Sequence, residues 1–258
     1  MEISKIRILI YGANGWLGEQ FCNYLSSENV TFFKGNERLE NEKQLEYEIL
    51  KVKPNNIIGF TGRTHGKIED KVFTTIDYLE QEGKLYDNIR DNLYGPLNLS
   101  LICHKLNIHY TYLGTGCIFE YDEDHPYSKE INGFTEESVP NFFGSSYSIV
   151  KGFTDRIMKK FEKNVLNLRI RMPINSQNNP RNFITKITNY QKICSIPNSM
   201  TVLPDFFPII LDMINNKTTG TFNLTNPGLI SHNEILEIYK EIVDSTFTWD
   251  NFNIEEQN

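Results

Sequence analysis

The chain has 258 residues, 39% hydrophobic and 12% aromatic, enough for one large domain or a main domain with a smaller lobe. Its net charge of −7 excludes a large basic surface for nucleic acid or anionic lipid, and no apolar run approaches the ~20 residues of a bilayer span. Cys22, Cys103, Cys117 and Cys194 show no CxxC spacing, the histidines form no ligand cluster, and the start MEISKIRILIYG lacks the form of a signal peptide; we expect reduced thiols, a cytoplasmic location and no metal.

Ile6–Tyr11 is a nearly continuous apolar run, the pattern of a strand buried on both faces. Leu17, Phe21 and Leu25 then recur at helical spacing. Further strands are predicted at Val30–Phe33, Asn56–Phe60, His109–Leu113 and Val165–Ile170. Helical patterns lie between them, at Tyr86, Ile89 and Leu93 and at Val150, Phe153, Ile157 and Phe161. This alternation predicts an α/β fold: a Rossmann-type, doubly wound parallel sheet spanning residues 1–170. After Arg171 prolines and amides break the rhythm. There we expect a helix over Pro208–Asn215 with the proline in its first turn, a strand over Thr221–Thr225, and a capping box, Ser231 to Glu234, opening a helix over Ile235–Ile242. Residues 171–258 read as a small substrate-binding lobe interleaved with the sheet, and the polar C-terminus alone invites disorder.

Gly12, Gly15 and Gly18, with Trp16 and Leu17, follow the first strand and open the first helix. Gly12 permits a tight turn, Gly15 a close approach to pyrophosphate, and Gly18 close helix–strand packing; a dinucleotide is implied. Thr61 and Gly62, past the third strand, are further cofactor candidates. The second strand ends in Lys34-Gly-Asn-Glu-Arg38, with no carboxylate at its tip. A guanidinium pairs well with a 2′-phosphate, so Arg38 favours NADPH, although Glu37 and Glu40 keep NADH open.

Tyr147 and Lys151 stand at i and i+4 on one helix face. A phenol of pKa ~10 is a poor acid at neutral pH, and a neighbouring ammonium lowers that value. The pair can then protonate a carbonyl oxygen as hydride reaches carbon. Thr115, on the strand end Gly114–Cys117, is placed to bond a developing oxyanion. Asn92 would touch substrate, steady the nearby backbone, or stand as a satisfied structural amide.

These residues resemble the extended short-chain dehydrogenase/reductase family. The runs Thr115–Tyr121, Pro140–Tyr147, Arg169–Pro173, Asn179–Lys186, Ile196–Met200, Asn226-Pro-Gly and Ser231–Leu236 look like one group in it, the UDP-4-keto-6-deoxy-glucose 3,5-epimerase/4-reductases of UDP-L-rhamnose synthesis. The resemblance spans almost the whole chain. It departs at Gly59–Arg63 and over His65–Tyr86, and it implies a further terminal helix beyond Glu255–Gln257.

The resemblance implies a nucleotide-diphospho keto-sugar as substrate, UDP and dTDP forms being equally open, and a homodimer. Inverting C3 and C5 beside a ketone needs two acid/base groups. Cys117 and Lys186 are assigned these roles, against plainer readings as a small buried apolar residue and a solvated helix charge. Arg63, Arg171, Arg181, Asn182 and Asn198 are candidates for the nucleotide, arginines for the diphosphate and amides for the base. Two other functions remain: a reductase acting on an already epimerised sugar, and a cofactor-binding regulatory subunit without catalysis.

Overall fold

The computed structural model describes residues 6–126 and 132–252, so Glu255–Gln257 lie outside it. The first apolar run becomes β1 (Ile8–Tyr11), wholly buried and paired in parallel on both edges, which is why it shows no alternation. It leads to α1 (Trp16–Ser27), β2 (Phe32–Lys34), α2 (Glu42–Val52) and β3 (Asn56–Gly59). Helix α2 has no counterpart among the expected elements. It turns Leu45, Ile49 and Val52, spaced i, i+4 and i+7, toward the core, while Tyr47 and Leu50 stand exposed on the rest of its surface.

The segment that departs from the family pattern forms a short antiparallel hairpin, β4 (Gly66–Ile68) and β5 (Lys71–Phe73), and a 3-10 turn over Ile76–Glu80. Then α3 (Leu85–Ile89) runs through a π-helical turn, Arg90–Tyr94, into α4 (Gly95–Leu106). The helical period expected here is present, but Tyr86 and Ile89 are 71% and 41% exposed, so that stripe faces outward. Next come β6 (His109–Thr115), α5 (Ser146–Met158) and β7 (Val165–Ile170).

The remainder comprises β8 (Pro173–Ile174), α6 (Phe183–Ile187), β9 (Lys192–Cys194), β10 (Thr201–Val202), α7 (Leu203–Asn215), β11 (Gly220–Asn223), α8 (His232–Ile242) and β12 (Asp250–Phe252). Pro208 stands inside α7 and not in its first turn, because the helix already begins at Leu203; Pro204 takes the early position. The capping box of Ser231 and Glu234 forms in both directions, with Ser231 Oγ accepting from the Glu234 amide. Asp250–Phe252 pairs in parallel with β9, and the rest of the polar C-terminus lies outside the described residues.

Six strands make the main sheet in the order β11-β7-β6-β3-β1-β2, and the pairings of β1 with β2 and β3, of β3 with β6 and of β7 with β11 are parallel. The order reverses between β1 and β3, and a crevice outside the carboxyl ends of such strands is where doubly wound folds take ligands. Two compact units result. One runs to Arg169 and includes Phe207–Asn223, so part of α7 and all of β11 return to the sheet; the other takes Ile170–Phe206 and the chain from Leu224. The first unit has a core around Leu9, Leu45, Ile57, Leu99 and Tyr110, the second a smaller cluster around Ile187, Ile193, Met200 and Leu236.

Candidate active site

Gly12 adopts φ +75°, and a Cβ on it would lie 2.7 Å from the carbonyl carbon of Phe60 and 2.9 Å from the amide of Thr61. The loops that leave β1 and β3 therefore pass in contact at the switch point, which sets Thr61 and Gly62 beside the glycine loop. A Cβ on Gly18 would sit 2.2 Å from the Gly12 carbonyl oxygen, so this glycine lets α1 close onto the loop. Gly15 differs. Its nearest conflict is a single oxygen at 3.3 Å, and it is the N-cap of α1 with no side-chain cap. Backbone amides at the start of a helix, uncapped by any side chain, fit a pyrophosphate. Trp16 and Leu17 follow on the first turn, both half-buried.

Beyond β2 and β3, Arg38, Arg63 and Arg90 gather on one carboxylate. Asp91 accepts from Arg38 at 3.0 Å, from Arg63 at 2.5 Å and from Arg90 at 2.8 Å, and Glu40 takes a second bond from Arg38 at 2.9 Å. Burial works to raise the Asp91 pKa, but the bonds from Arg90 and Arg63 outweigh it and hold the carboxyl below its usual range. Arg38 remains 53% exposed. Asn92 takes, of the readings the sequence leaves for it, the structural one. It is 1% exposed, takes the Arg63 amide on Oδ1 at 2.8 Å, and donates to the Arg63 carbonyl at 2.9 Å and to Asn88 at 2.8 Å. It braces the Arg63 backbone and presents nothing to a ligand.

Ser145 caps α5 by accepting from the Ser148 amide, while Glu80 accepts from the amides of Ser146 and Tyr147 at 3.1 and 3.3 Å. Ser148 in turn donates to the Cys117 carbonyl at 2.7 Å, which ties the first turn of α5 to the chain leaving β6. Tyr147 packs with Tyr78 and Leu79, and Cys117 packs against that cluster. The Cys117 amide donates to Thr115 Oγ1 at 3.1 Å, and among the described residues the Thr115 hydroxyl proton has no acceptor. Thr115, Cys117, Tyr147 and Lys151 thus meet at the carboxyl end of β6.

Lys151 is 5% exposed. Burial is the main cause that brings its pKa from the ordinary 10.5 down to about 8, against the raising fields of Asp155 and Cys117. Its ammonium donates to the hydroxyl of Tyr112, on the facing strand, and to the Leu113 carbonyl at 3.3 Å. Sequence reasoning missed both Tyr112 and Asp155. The latter was within reach, since Tyr147, Lys151 and Asp155 are spaced by four on one helix; Tyr112 reads from sequence only as a buried strand residue.

The remaining candidates belong to the second unit. Arg171 Nε and Nη2 both donate to Asn198 Oδ1, at 3.2 and 2.9 Å, so these two form a ready-made polar pair. Burial lowers the Arg181 pKa. Lys186 lies in the last turn of α6. Asn182 is the cap of that helix. It is 2% exposed and donates to the carbonyls of Asn175 and Gln177, both at 2.7 Å, so its amide is fully committed and is withdrawn from the nucleotide set.

A search against protein-family models finds none that matches. Individual relatives do. Protein L780 of Acanthamoeba polyphaga mimivirus is 54% identical over 249 residues, which is 96% of this chain and 84% of that protein. Its crystal structure, described as a UDP-rhamnose synthase, superposes with a TM-score of 0.91, covering 98% of this chain and 86% of the other. The Arabidopsis thaliana bifunctional dTDP-4-dehydrorhamnose 3,5-epimerase/dTDP-4-dehydrorhamnose reductase is 42% identical over 258 residues, covering 98% of this chain and 81% of that enzyme. The chain belongs to the extended short-chain dehydrogenase/reductase family. A more distant member, the dTDP-4-dehydrorhamnose reductase of Bacillus anthracis solved with NADP, shares the fold of this reductase-family chain at 19% identity and a TM-score of 0.75.

Proposed function

We propose that the chain is a 3,5-epimerase/4-reductase that converts UDP-4-keto-6-deoxy-D-glucose to UDP-L-rhamnose with NADPH. The observation that carries this reading is the meeting of Thr115, Cys117, Tyr147 and Lys151 at the end of β6, in the unit that holds the glycine loop. The nicotinamide, when bound, supplies hydride to C4 of the sugar. Tyr147 gives its proton to the C4 oxygen, and the Thr115 hydroxyl bonds that oxygen as charge develops. Gly12, Gly15 and Gly18 with the first turn of α1 hold the pyrophosphate, and Arg38 takes the 2′-phosphate.

Epimerisation needs no net redox. A proton leaves C3 or C5 alpha to the ketone and another returns on the opposite face. We assign Cys117 one of these transfers and Lys186 the other; Tyr147 and Thr115 steady the enolate oxygen. Arg171 and Arg181, with Arg63, are assigned to the diphosphate of the substrate and Asn198 to its base. The reading also places the enzyme in the cytoplasm as a homodimer; no helix among the described residues is long and apolar enough to cross a membrane.

The test is incubation with the keto-sugar in deuterated water, with and without NADPH, and NMR of the product. Deuterium at C3 and C5 and the rhamno configuration are expected. Reduction without deuterium at either carbon leaves a reductase only. Binding of NADPH with no turnover of any nucleotide keto-sugar leaves a regulatory subunit.

A further inference from the structure

Tyr110 and Tyr112 project from the same face of β6, with ring centroids 6.5 Å apart, and both are buried to within 1%. Their surroundings differ in one respect. Among the described residues the Tyr110 hydroxyl finds no hydrogen-bond partner, whereas the Tyr112 hydroxyl accepts from Lys151 Nζ, which also lies 4.5 Å from the centre of that ring. We infer that Tyr112 is a positioning residue for Lys151: its hydroxyl holds the amine at the end of β6 and favours the charged ammonium over the neutral amine.

The groups around Lys151 are few. On its own helix stand Tyr147 and Asp155, one turn before and one turn after it. From β6 come Tyr112 and the Leu113 carbonyl, and from the turn beyond it Cys117. Asp155 is itself committed to Arg169 of β7. Two neutral oxygens therefore make the direct contacts with the ammonium, while the carboxylate acts on it only through its field. A neutral phenol accepts more strongly from an ammonium than from an amine. Burial also holds Tyr112 firmly in its neutral form, so it meets the ammonium through a charge-assisted bond and the neutral amine only through a weaker uncharged one.

The inference rests on the reductase reading for its consequence in catalysis, but its direct test does not. Lysine side chains labelled with 13C at Cε report their own titration by NMR, and the Lys151 signal is identified by its loss in Lys151→Met. In the wild type this signal titrates near pH 8, apart from the exposed lysines. In Tyr112→Phe its midpoint falls by roughly one unit, and in Tyr110→Phe, which removes a hydroxyl without a partner, it does not move. Equal midpoints in the wild type and Tyr112→Phe overturn the proposal whatever the enzyme's substrate, as does an equal fall in both variants. Should Tyr112→Phe fail to fold, 13Cζ-tyrosine labelling of the wild type serves: the Tyr112 carbon tracks the Lys151 titration with the same midpoint, and a Tyr112 carbon indifferent to it overturns the proposal. If the keto-sugar is reduced as proposed above, kcat falls several-fold in Tyr112→Phe with KM nearly constant. In a Lys151→Met background the same substitution costs nothing further, and a full additional loss of kcat there counts against action through Lys151.

Discussion

Asp155 and Arg169 form a two-pronged ion pair, with Arg169 Nε and Nη2 donating at 2.9 and 2.7 Å and the side chains 2% and 1% exposed. Arg169 also donates to the carbonyls of Thr135 and Ser138 at 3.1 and 3.4 Å, and its guanidinium lies 5.1 Å from the ring centre of Phe119. One buried contact thereby joins the end of β7, the helix that carries Tyr147 and Lys151, and the segment leading back to that helix. Asp155→Asn leaves a guanidinium buried without its counter-charge. The expected loss is ~3–5 kcal/mol, read as a lower urea midpoint. A loss below ~1 kcal/mol would mean that the pair is dispensable.

Lys151 sets stability against function. Its folded pKa of about 8 lies below the ordinary 10.5 because burial disfavours the charge. Between these values the unfolded chain binds more protons than the folded one, so this group's penalty is fully present below pH 8 and fades as pH rises toward 10.5. Lys151→Met is expected to gain ~1–2 kcal/mol at pH 7, the relieved penalty being partly offset by the orphaned hydroxyl of Tyr112, and to lose reductase activity. Urea unfolding at pH 7 and pH 9.5 checks this: the gain shrinks at the higher pH. An advantage that grows with pH contradicts the sign.

The glycines of the cofactor loop separate into two kinds. A methyl group at Gly18 meets the Gly12 carbonyl oxygen at 2.2 Å, so Gly18→Ala destabilises the free protein by ~1–3 kcal/mol. At Gly15 the only close atom is 3.3 Å away, and φ is −80°. Gly15→Ala therefore melts close to the wild type but loses NADPH affinity ~10-fold or more, because the obstructed space belongs to the ligand. Calorimetry with and without NADPH distinguishes them. A wild-type affinity in Gly15→Ala removes the pyrophosphate from this loop.

Arg38 is the handle for cofactor choice. Arg38→Ala is expected to weaken NADPH ~10- to 100-fold while leaving NADH nearly unchanged, since only the former carries the 2′-phosphate. Titration of both cofactors decides it, and an equal loss for both would assign Arg38 to shared parts of the dinucleotide. Its existing bonds to Glu40 and Asp91 temper the effect, because the guanidinium exchanges partners on binding.

The sequence by itself determined the parallel sheet, the glycine loop and the placing of Tyr147 and Lys151 four apart on one helix. Each of these is written in local spacing. Strand burial makes continuous apolar runs such as Ile8–Tyr11, a turn without Cβ needs glycine at fixed offsets, and side chains four apart share a helix face. Only the tertiary structure decided which of the polar candidates are spent on holding the fold. Asn92, within a helical pattern, and Asn182, in an amide-rich stretch, look in sequence like any polar amide, and their commitments lie in partners as distant as Arg63 or as irregular as the turn at Asn175–Gln177. The same holds for the gain at Tyr112 and Asp91. A buried phenol facing an amine, and one carboxylate gathering three arginines from separate segments, arise from strand and helix register, which no pattern along the chain encodes.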